Sequence, residues 1–130
     1  MRSEADRLEE MERVLEDLRE RAEGATVVVE GSRDLRALAE LGVGGVHVAV
    51  HRGAPMHAVI EVLAARPGTV ILLVDWDRTG GRLHAMLRDN LAARVRLDTE
   101  LRRRLAATSM ARSFEEIPAE LAALRRAVRP

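Results

Sequence analysis

Thr69-Val70-Ile71-Leu72-Leu73-Val74-Asp75-Trp76-Asp77-Arg78-Thr79-Gly80-Gly81 is the stretch that sets the architecture of this chain. The part before Asp75 is continuously apolar after Thr69, rich in branched side chains, and preceded by the breaker pair Pro67-Gly68. Such a run reads as a strand buried on both faces of a parallel sheet, not as one half of an exposed hairpin. Residues i and i+2 of a strand project to the same side, about 7 Å apart. Asp75 and Asp77 are therefore expected to leave the sheet together, where the backbone turns into a helix. Upstream, Ala25-Thr26-Val27-Val28-Val29 runs into Glu30-Gly31 in the same manner. Ligands of open α/β sheets bind outside the carboxyl ends of the strands, at the switch point of the topology. If these two strands are neighbours there, Glu30 meets Asp75 and Asp77 in one acid cluster.

Outward from these two runs, the pattern alternates. Leu8, Met11, Leu15, Leu18 and Ala22 recur at spacings of three and four behind a capping-box-like Ser3 and Asp6, predicting an amphipathic helix over residues 4–23. It is too short for a coiled-coil assignment, so docking on its own sheet or helices is expected in preference to dimerisation. Gly24 ends it. Further helices are predicted over 33–41 behind Ser32, 54–65 with Pro55 in the first turn, 80–92, 100–107 behind Asp98 or Thr99, and from Pro118 to about residue 128. Residues 46–50 and 94–97 supply the remaining strands. Strands alternating with helices give an α/β fold: a small parallel sheet of about four strands with helices on both faces, plus N- and C-terminal helices. A single domain over residues 1–130 is expected, with its core at about 24–108.

The pattern Val28-Glu30-Gly31 followed by Asp34, with Asp75-x-Asp77-x-x-Gly80 about forty-five residues downstream, resembles the two signature motifs of the Toprim domain. That domain is shared by topoisomerases, bacterial-type primases, overcoming-lysogenisation nucleases and the ribonuclease that matures 5S rRNA. The resemblance covers about residues 24–108 and is closest to small stand-alone Toprim proteins, chiefly archaeal. An Asp-x-Asp alone is common; the pairing with Glu-Gly-x-x-Asp, each closing an apolar strand, is what makes it specific. The resemblance implies a Rossmann-like sheet, a Mg²⁺ site and chemistry on nucleic-acid phosphodiesters. It also implies that Glu30 acts as general base or acid, and that it can ligate metal as well.

Composition narrows the chemistry. All 21 basic residues other than the four histidines are arginine, and lysine, cysteine and tyrosine are absent. Without lysine there is no Walker A phosphate loop and no Schiff base. Without tyrosine there is no phosphotyrosyl intermediate, so the chain is not by itself a topoisomerase. Without cysteine there is neither a disulfide framework nor a thiolate zinc module. No apolar stretch approaches the roughly 18 residues of a membrane span, and a cytoplasmic protein is the expectation.

The formal net charge is zero but unevenly distributed. Residues 1–25 carry five arginines against nine acids, and residues 78–130 twelve against six. The C-terminal portion is the expected phosphate-facing surface. Arg102-Arg103-Arg104 is its densest cluster and the expected nucleic-acid contact; the alternative is arginines that solvate helix faces and pair locally with acids such as Glu100.

Mg²⁺ demands octahedral oxygen coordination and is held by carboxylates together with water and substrate phosphate. Asp75 and Asp77 are the expected ligands, with Glu30 beside them and Mn²⁺ as a substitute. Gly31 and Gly80 permit close backbone approach to a phosphate, and the helix starts at Ser32 and Thr79 offer amide donors. Asp34 is expected to orient local backbone or an arginine, not to bind metal directly. A turn-and-cap role competes for Asp75 and Asp77, but a cap needs one acid and two are present. Trp76 is expected in the core. Thr79 stands where some relatives of the resembled family carry a third carboxylate. Asp75-x-Asp77-x-Thr79 also fits the opening motif of haloacid-dehalogenase-type phosphatases, whose later acidic pair has a counterpart only in Glu115-Glu116. His51 and His57 are expected near the carboxyl edge of the sheet. Two functions follow: a Mg²⁺-dependent nuclease or phosphoryl-transfer enzyme, or a non-catalytic metal-dependent nucleic-acid or nucleotide binding module of a larger replication, repair or RNA-processing assembly, with a protein partner or a homodimer.

Overall fold

The apolar runs become the centre of a parallel sheet. In the computed structural model, which describes residues 2–129, the elements are α1 (Glu4–Ala22), β1 (Thr26–Val29), α2 (Ser32–Glu40), β2 (Val46–Ala49), α3 (Met56–Ala64), β3 (Thr69–Leu72), α4 (Arg78–Leu91), β4 (Arg96–Asp98), α5 (Glu100–Thr108), a 3-10 turn (Phe114–Glu116) and α6 (Ile117–Val128). The strand order is β2-β1-β3-β4, and every pairing is parallel. The two apolar runs are the central pair, with Thr26 opposite Val70 and Val28 opposite Leu72.

Because side chains alternate across a strand, each run feeds two cores. Val27, Val29, Ile71 and Leu73 point into one, which α1, α2, α5 and α6 complete with Leu15, Leu18, Leu38, Leu101, Leu105, Ile117 and the sole phenylalanine, Phe114. Val28, Val70, Leu72 and Val74 point into the other, closed by Val59 and Leu63 of α3 and Leu83, Leu87 and Leu91 of α4. Helices therefore cover both faces, as the doubly apolar strands require. The chain leaves β1 toward the first face and β3 toward the second, and the crevice between these departures is the topological switch point.

The N-terminal helix docks on its own protein. Leu8, Met11, Val14, Leu15, Leu18 and Ala22 are buried, packed largely against α5 and α6. Ser3 Oγ accepts the Asp6 N–H at 3.1 Å and Asp6 accepts the Ser3 N–H at 3.4 Å, closing the capping box at the helix start. Arg7 to Glu120 at 2.6 Å and Arg104 to Asp17 at 2.6 Å pin α1 to α6 and α5. Leu15→Ala, which opens a cavity in this interface, is expected to cost about 2–5 kcal/mol in urea unfolding; a loss below about 1 kcal/mol would mean that α1 is loosely held.

Local boundaries differ from expectation where side-chain capping sets them. Gly31, not Ser32, is the N-cap of α2, because the Asp34 carboxylate reaches back to the Gly31 N–H at 2.9 Å. α3 begins at Met56 because Pro55 stays extended as its N-cap. Regular pairing of β3 ends at Leu72, but the Leu73 N–H still donates to the Val28 carbonyl at 2.8 Å. Gly45 sits at φ +80°, where a Cβ would overlap the Ala22 and Ala25 carbonyls, so the turn into β2 needs glycine. No helix among the described residues is long and apolar enough to cross a membrane.

Candidate functional site

Neighbouring parallel strands bring their exit residues together, and Glu30 and Asp75 meet at the switch point. Glu30 Oε2 accepts the Asp75 N–H at 2.8 Å, a bond spanning forty-five positions of sequence. Asp75 Oδ1 accepts the Phe114 N–H at 3.1 Å, and Asp77 Oδ1 caps α4 by accepting the Gly80 N–H at 2.7 Å. Each of the three acids thus spends one oxygen on a backbone amide. Glu30 Oε1, Asp75 Oδ2 and Asp77 Oδ2 receive no hydrogen bond from the described residues; His51 Nε2 stands 3.7 Å from Glu30 Oε1.

The strand alternation that leads to Asp75 and Asp77 does not itself place them. Trp76 packs against the core on the α1 side, the side of Ile71 and Leu73, so the chain has left strand geometry by that residue. The reason is the tight entry into α4. Gly80 lies so close to the Asp75 carbonyl that a Cβ there would collide with it. Asp75 is held half-buried by the Phe114 amide, and Asp77 is exposed as a helix cap.

A strap with no counterpart among the sequence expectations completes the site. Between α5 and α6 the chain crosses the carboxyl edge of the sheet, where the Trp76 N–H donates to the Arg112 carbonyl at 3.0 Å and the indole Nε1 to the Ala111 carbonyl at 2.7 Å. Ser109 Oγ bonds Glu120, which also accepts the Met110 N–H at 2.8 Å, fixing the strap to α6. No local signal announces these bonds, although the sole Trp and the sole Phe sit at their anchors.

The arginine cluster divides three ways. Arg102 is half-buried beneath the acids, its Nε donating to the Val74 carbonyl at 2.8 Å and its Nη2 to the Asp75 carbonyl at 2.7 Å. Arg104 is tied to Asp17 and Glu10. Arg103 alone of the three is exposed with no polar partner among the described residues. The amides of Gly31 and Gly80 are already taken by Asp34 and Asp77. Ser32 and Thr79 stand exposed in the first turns of α2 and α4. His51 lies beside Glu30 as expected at this edge, whereas His47 Nε2 bonds the Gly44 carbonyl at 2.8 Å.

Electrostatics follow from crowding. Burial pushes the Asp75 pKa up to about 7; the Phe114 amide opposes this, and the charges of Glu30, Asp34 and Asp77 add to the rise. Arg102 is drawn down by burial and held up by Glu30, Asp75 and Asp77. His84, buried in α4 with Nδ1 unpartnered, is pushed down to about 4 by burial, with Arg102 and Arg88 contributing. Asp34 is buried as well, and its Oδ1 has no partner among the described residues.

The two shifts act oppositely on stability. Asp75 favours the folded state when neutral, a contribution complete below about pH 4 and lost as pH rises through about 7. His84 contributes stability above about pH 6.5 that is lost as pH falls through about 4. Without divalent cations, Asp75→Asn is expected to match the parent near pH 4 and to exceed it by about 2 kcal/mol at pH 8, roughly half the unscreened value of such a shift. Urea melts at the two pH values check this; an equal gain at both would assign the effect to packing.

Hard carboxylate oxygens at a strand-to-helix exit suit a divalent cation, and the free oxygens of Glu30, Asp75 and Asp77 are the ones that would hold it. In their present positions no three His, Asp or Glu side chains among the described residues are gathered closely enough to bind a metal. The fit is therefore one of donor chemistry and shared edge.

A doubly wound parallel α/β domain whose strand exits at the switch point carry Glu30, Asp75 and Asp77 is the class that fold and site define. No family model matches the chain. It is 33% identical over 111 residues to a UPF0292 protein of Pyrococcus furiosus, covering 84% of this chain and 82% of that one. It is also 32% identical over 96 residues to a UPF0292 protein of Methanocaldococcus jannaschii, covering 72% of this chain and 74% of the relative. The chain belongs to the UPF0292 family. A solved protein of Aquifex aeolicus superposes with a TM-score of 0.70 at 24% identity, over 81% of this chain and 95% of that one, and shares the fold.

Proposed function

We propose that this chain is a Toprim-type domain that binds Mg²⁺ through Asp75 and Asp77, with Glu30 beside them, and acts on nucleic-acid phosphodiesters as a nuclease or phosphoryl-transfer enzyme. The observation that carries the reading is the meeting of Glu30 with Asp75 at the switch point, each acid retaining an oxygen free for a ligand. A bound divalent cation would polarise a phosphate oxygen and offset charge on the reacting phosphoryl group. Glu30 would move the proton of the attacking or leaving oxygen, held in place by the Asp75 amide. Arg102 fixes the Val74 and Asp75 carbonyls, so the acids stand on a rigid base. Arg103 is the member of its cluster free to meet phosphate. A cytoplasmic setting belongs to this reading.

The second reading is a non-catalytic, metal-dependent nucleic-acid or nucleotide binding module of a larger assembly. It is favoured by the structural use of Glu30, whose carboxylate bridges two loops in the resting site. Incubation with a panel of DNA and RNA strands, with Mg²⁺ or Mn²⁺ and with the Glu30→Gln variant alongside, separates the two. Cleavage by the parent alone supports the enzyme. Salt-sensitive binding without cleavage of any strand supports the module.

A further inference from the structure

Exposed arginines without a side-chain partner among the described residues occur in several places, Arg96, Arg103 and Arg126 among them, but five gather at one edge of the sheet. On the body of the protein, Arg7, Arg13, Arg21, Arg94, Arg104 and Arg125 are each held by a carboxylate. Around the switch point five exposed arginines lack such a partner among the described residues. Arg33 is the second residue of α2 and Arg36 lies one turn deeper; Arg52 follows His51, whose ring stands 3.7 Å from Glu30. Arg78 opens α4 and Arg82 lies one turn on. All five are exposed, and none has a hydrogen-bond or ion-pair partner among the described residues. The chain holds as many acids as arginines, so carboxylates to pair with them were not in short supply. The placement has two sides: Arg33, Arg36 and Arg52 stand on the β1–β2 side of the acids, Arg78 and Arg82 on the β3–α4 side.

From this arrangement we infer that a nucleic-acid strand lies across the switch-point crevice with phosphates engaged on both sides of the acid cluster, so that the site takes internal phosphodiesters and not strand ends. The inference rests on the proposal that the cluster meets phosphodiesters, and it moves the main binding surface away from Arg102 and Arg104, whose guanidinium groups are committed within the protein. Guanidinium forks suit phosphate oxygens bidentately, and unpaired ones give up no internal ion pair on binding. Acids at the centre and arginines on both flanks also divide the labour: the centre attracts a cation, and the flanks attract the chain on either side of it.

The test uses the full chain and two probes, a linear single-stranded oligonucleotide and its covalently closed circle of equal length, read by fluorescence anisotropy over a salt series. The circle has no ends, and it is expected to bind as tightly as the linear strand. Arg33→Ala/Arg36→Ala/Arg52→Ala and Arg78→Ala/Arg82→Ala are each expected to weaken both probes and to flatten the slope of log affinity against log salt by about 0.7 for every phosphate no longer neutralised. Arg96→Ala/Arg126→Ala, exposed arginines at the start of β4 and in the last turns of α6, should change neither; melting curves confirm that all variants are folded. Binding of the linear strand alone, an effect of only one flank, or an equal effect of the control pair overturns the inference. Flank-dependent binding of the circle with no cleavage would overturn the catalytic proposal and leave this one standing. Cleavage unaffected in KM by both flank variants would do the reverse.

Discussion

Glu30→Gln is expected to lower metal-dependent cleavage of DNA or RNA by about 10²–10⁴-fold, the usual contribution of a general acid or base, while nucleic-acid affinity stays close to that of the parent. The substitution suits the question because of what Glu30 does structurally. A Gln side-chain oxygen can still accept the Asp75 N–H that Glu30 Oε2 accepts at 2.8 Å. The two loops therefore stay joined, and only proton transfer and charge are removed. Glu30→Ala would remove the bridge as well, leaving the half-buried Asp75 amide without its partner, and a fall in rate could then be a fall in order. If Glu30→Gln cleaves at the parental rate, Glu30 is a structural bridge and the catalytic role belongs elsewhere.

Mg²⁺ is expected to stabilise the parent and not the Asp75→Asn/Asp77→Asn variant. A ligand at 100 times its dissociation constant adds about 2.7 kcal/mol, which for a chain of this size raises the melting temperature by roughly 10 °C. Both asparagines keep a side-chain oxygen for the Phe114 and Gly80 amides, so the strap and the start of α4 survive. The order of stability should invert between the two conditions. Without cations above pH 7 the variant is the more stable, because it no longer carries the half-buried charge of Asp75, whose pKa burial raises to about 7. With millimolar Mg²⁺ the parent leads. Equal Mg²⁺ shifts in the two proteins would exclude these acids as the binding site.

How much of the fold and site is legible in the chain follows from the range of each interaction. Val70–Val74 and Val27–Val29 announce buried parallel strands because burial on both faces demands apolar residues at every position. The α1 stripe, Leu8 through Ala22, announces a docked helix because its period matches the turn of the helix. Asp34 reads as a partner of local backbone, and its bond to Gly31 spans only three residues. Arg102, Arg103 and Arg104 look equivalent in sequence, but one supports the Asp75 loop, one is free and one is tied to α1. Adjacent helical residues face different directions, and only the packed neighbours say what each direction contains.

Residue order on its own was enough for the alternation of strands and helices, for the presence of acids where two strands end, and for the exclusion of lysine-, tyrosine- and cysteine-dependent chemistry. These are properties of single residues or of periods within one element. The neighbouring of β1 and β3, which lets Glu30 bond to the Asp75 amide, came from the assembled fold. So did the 109–116 strap over Trp76 and Asp75, and the lack of partners among the described residues for Arg33, Arg36, Arg52, Arg78 and Arg82. Each of these depends on strand order and on the seating of α5 and α6. Both are fixed by burying two cores at once, a condition on the whole chain that no local pattern records.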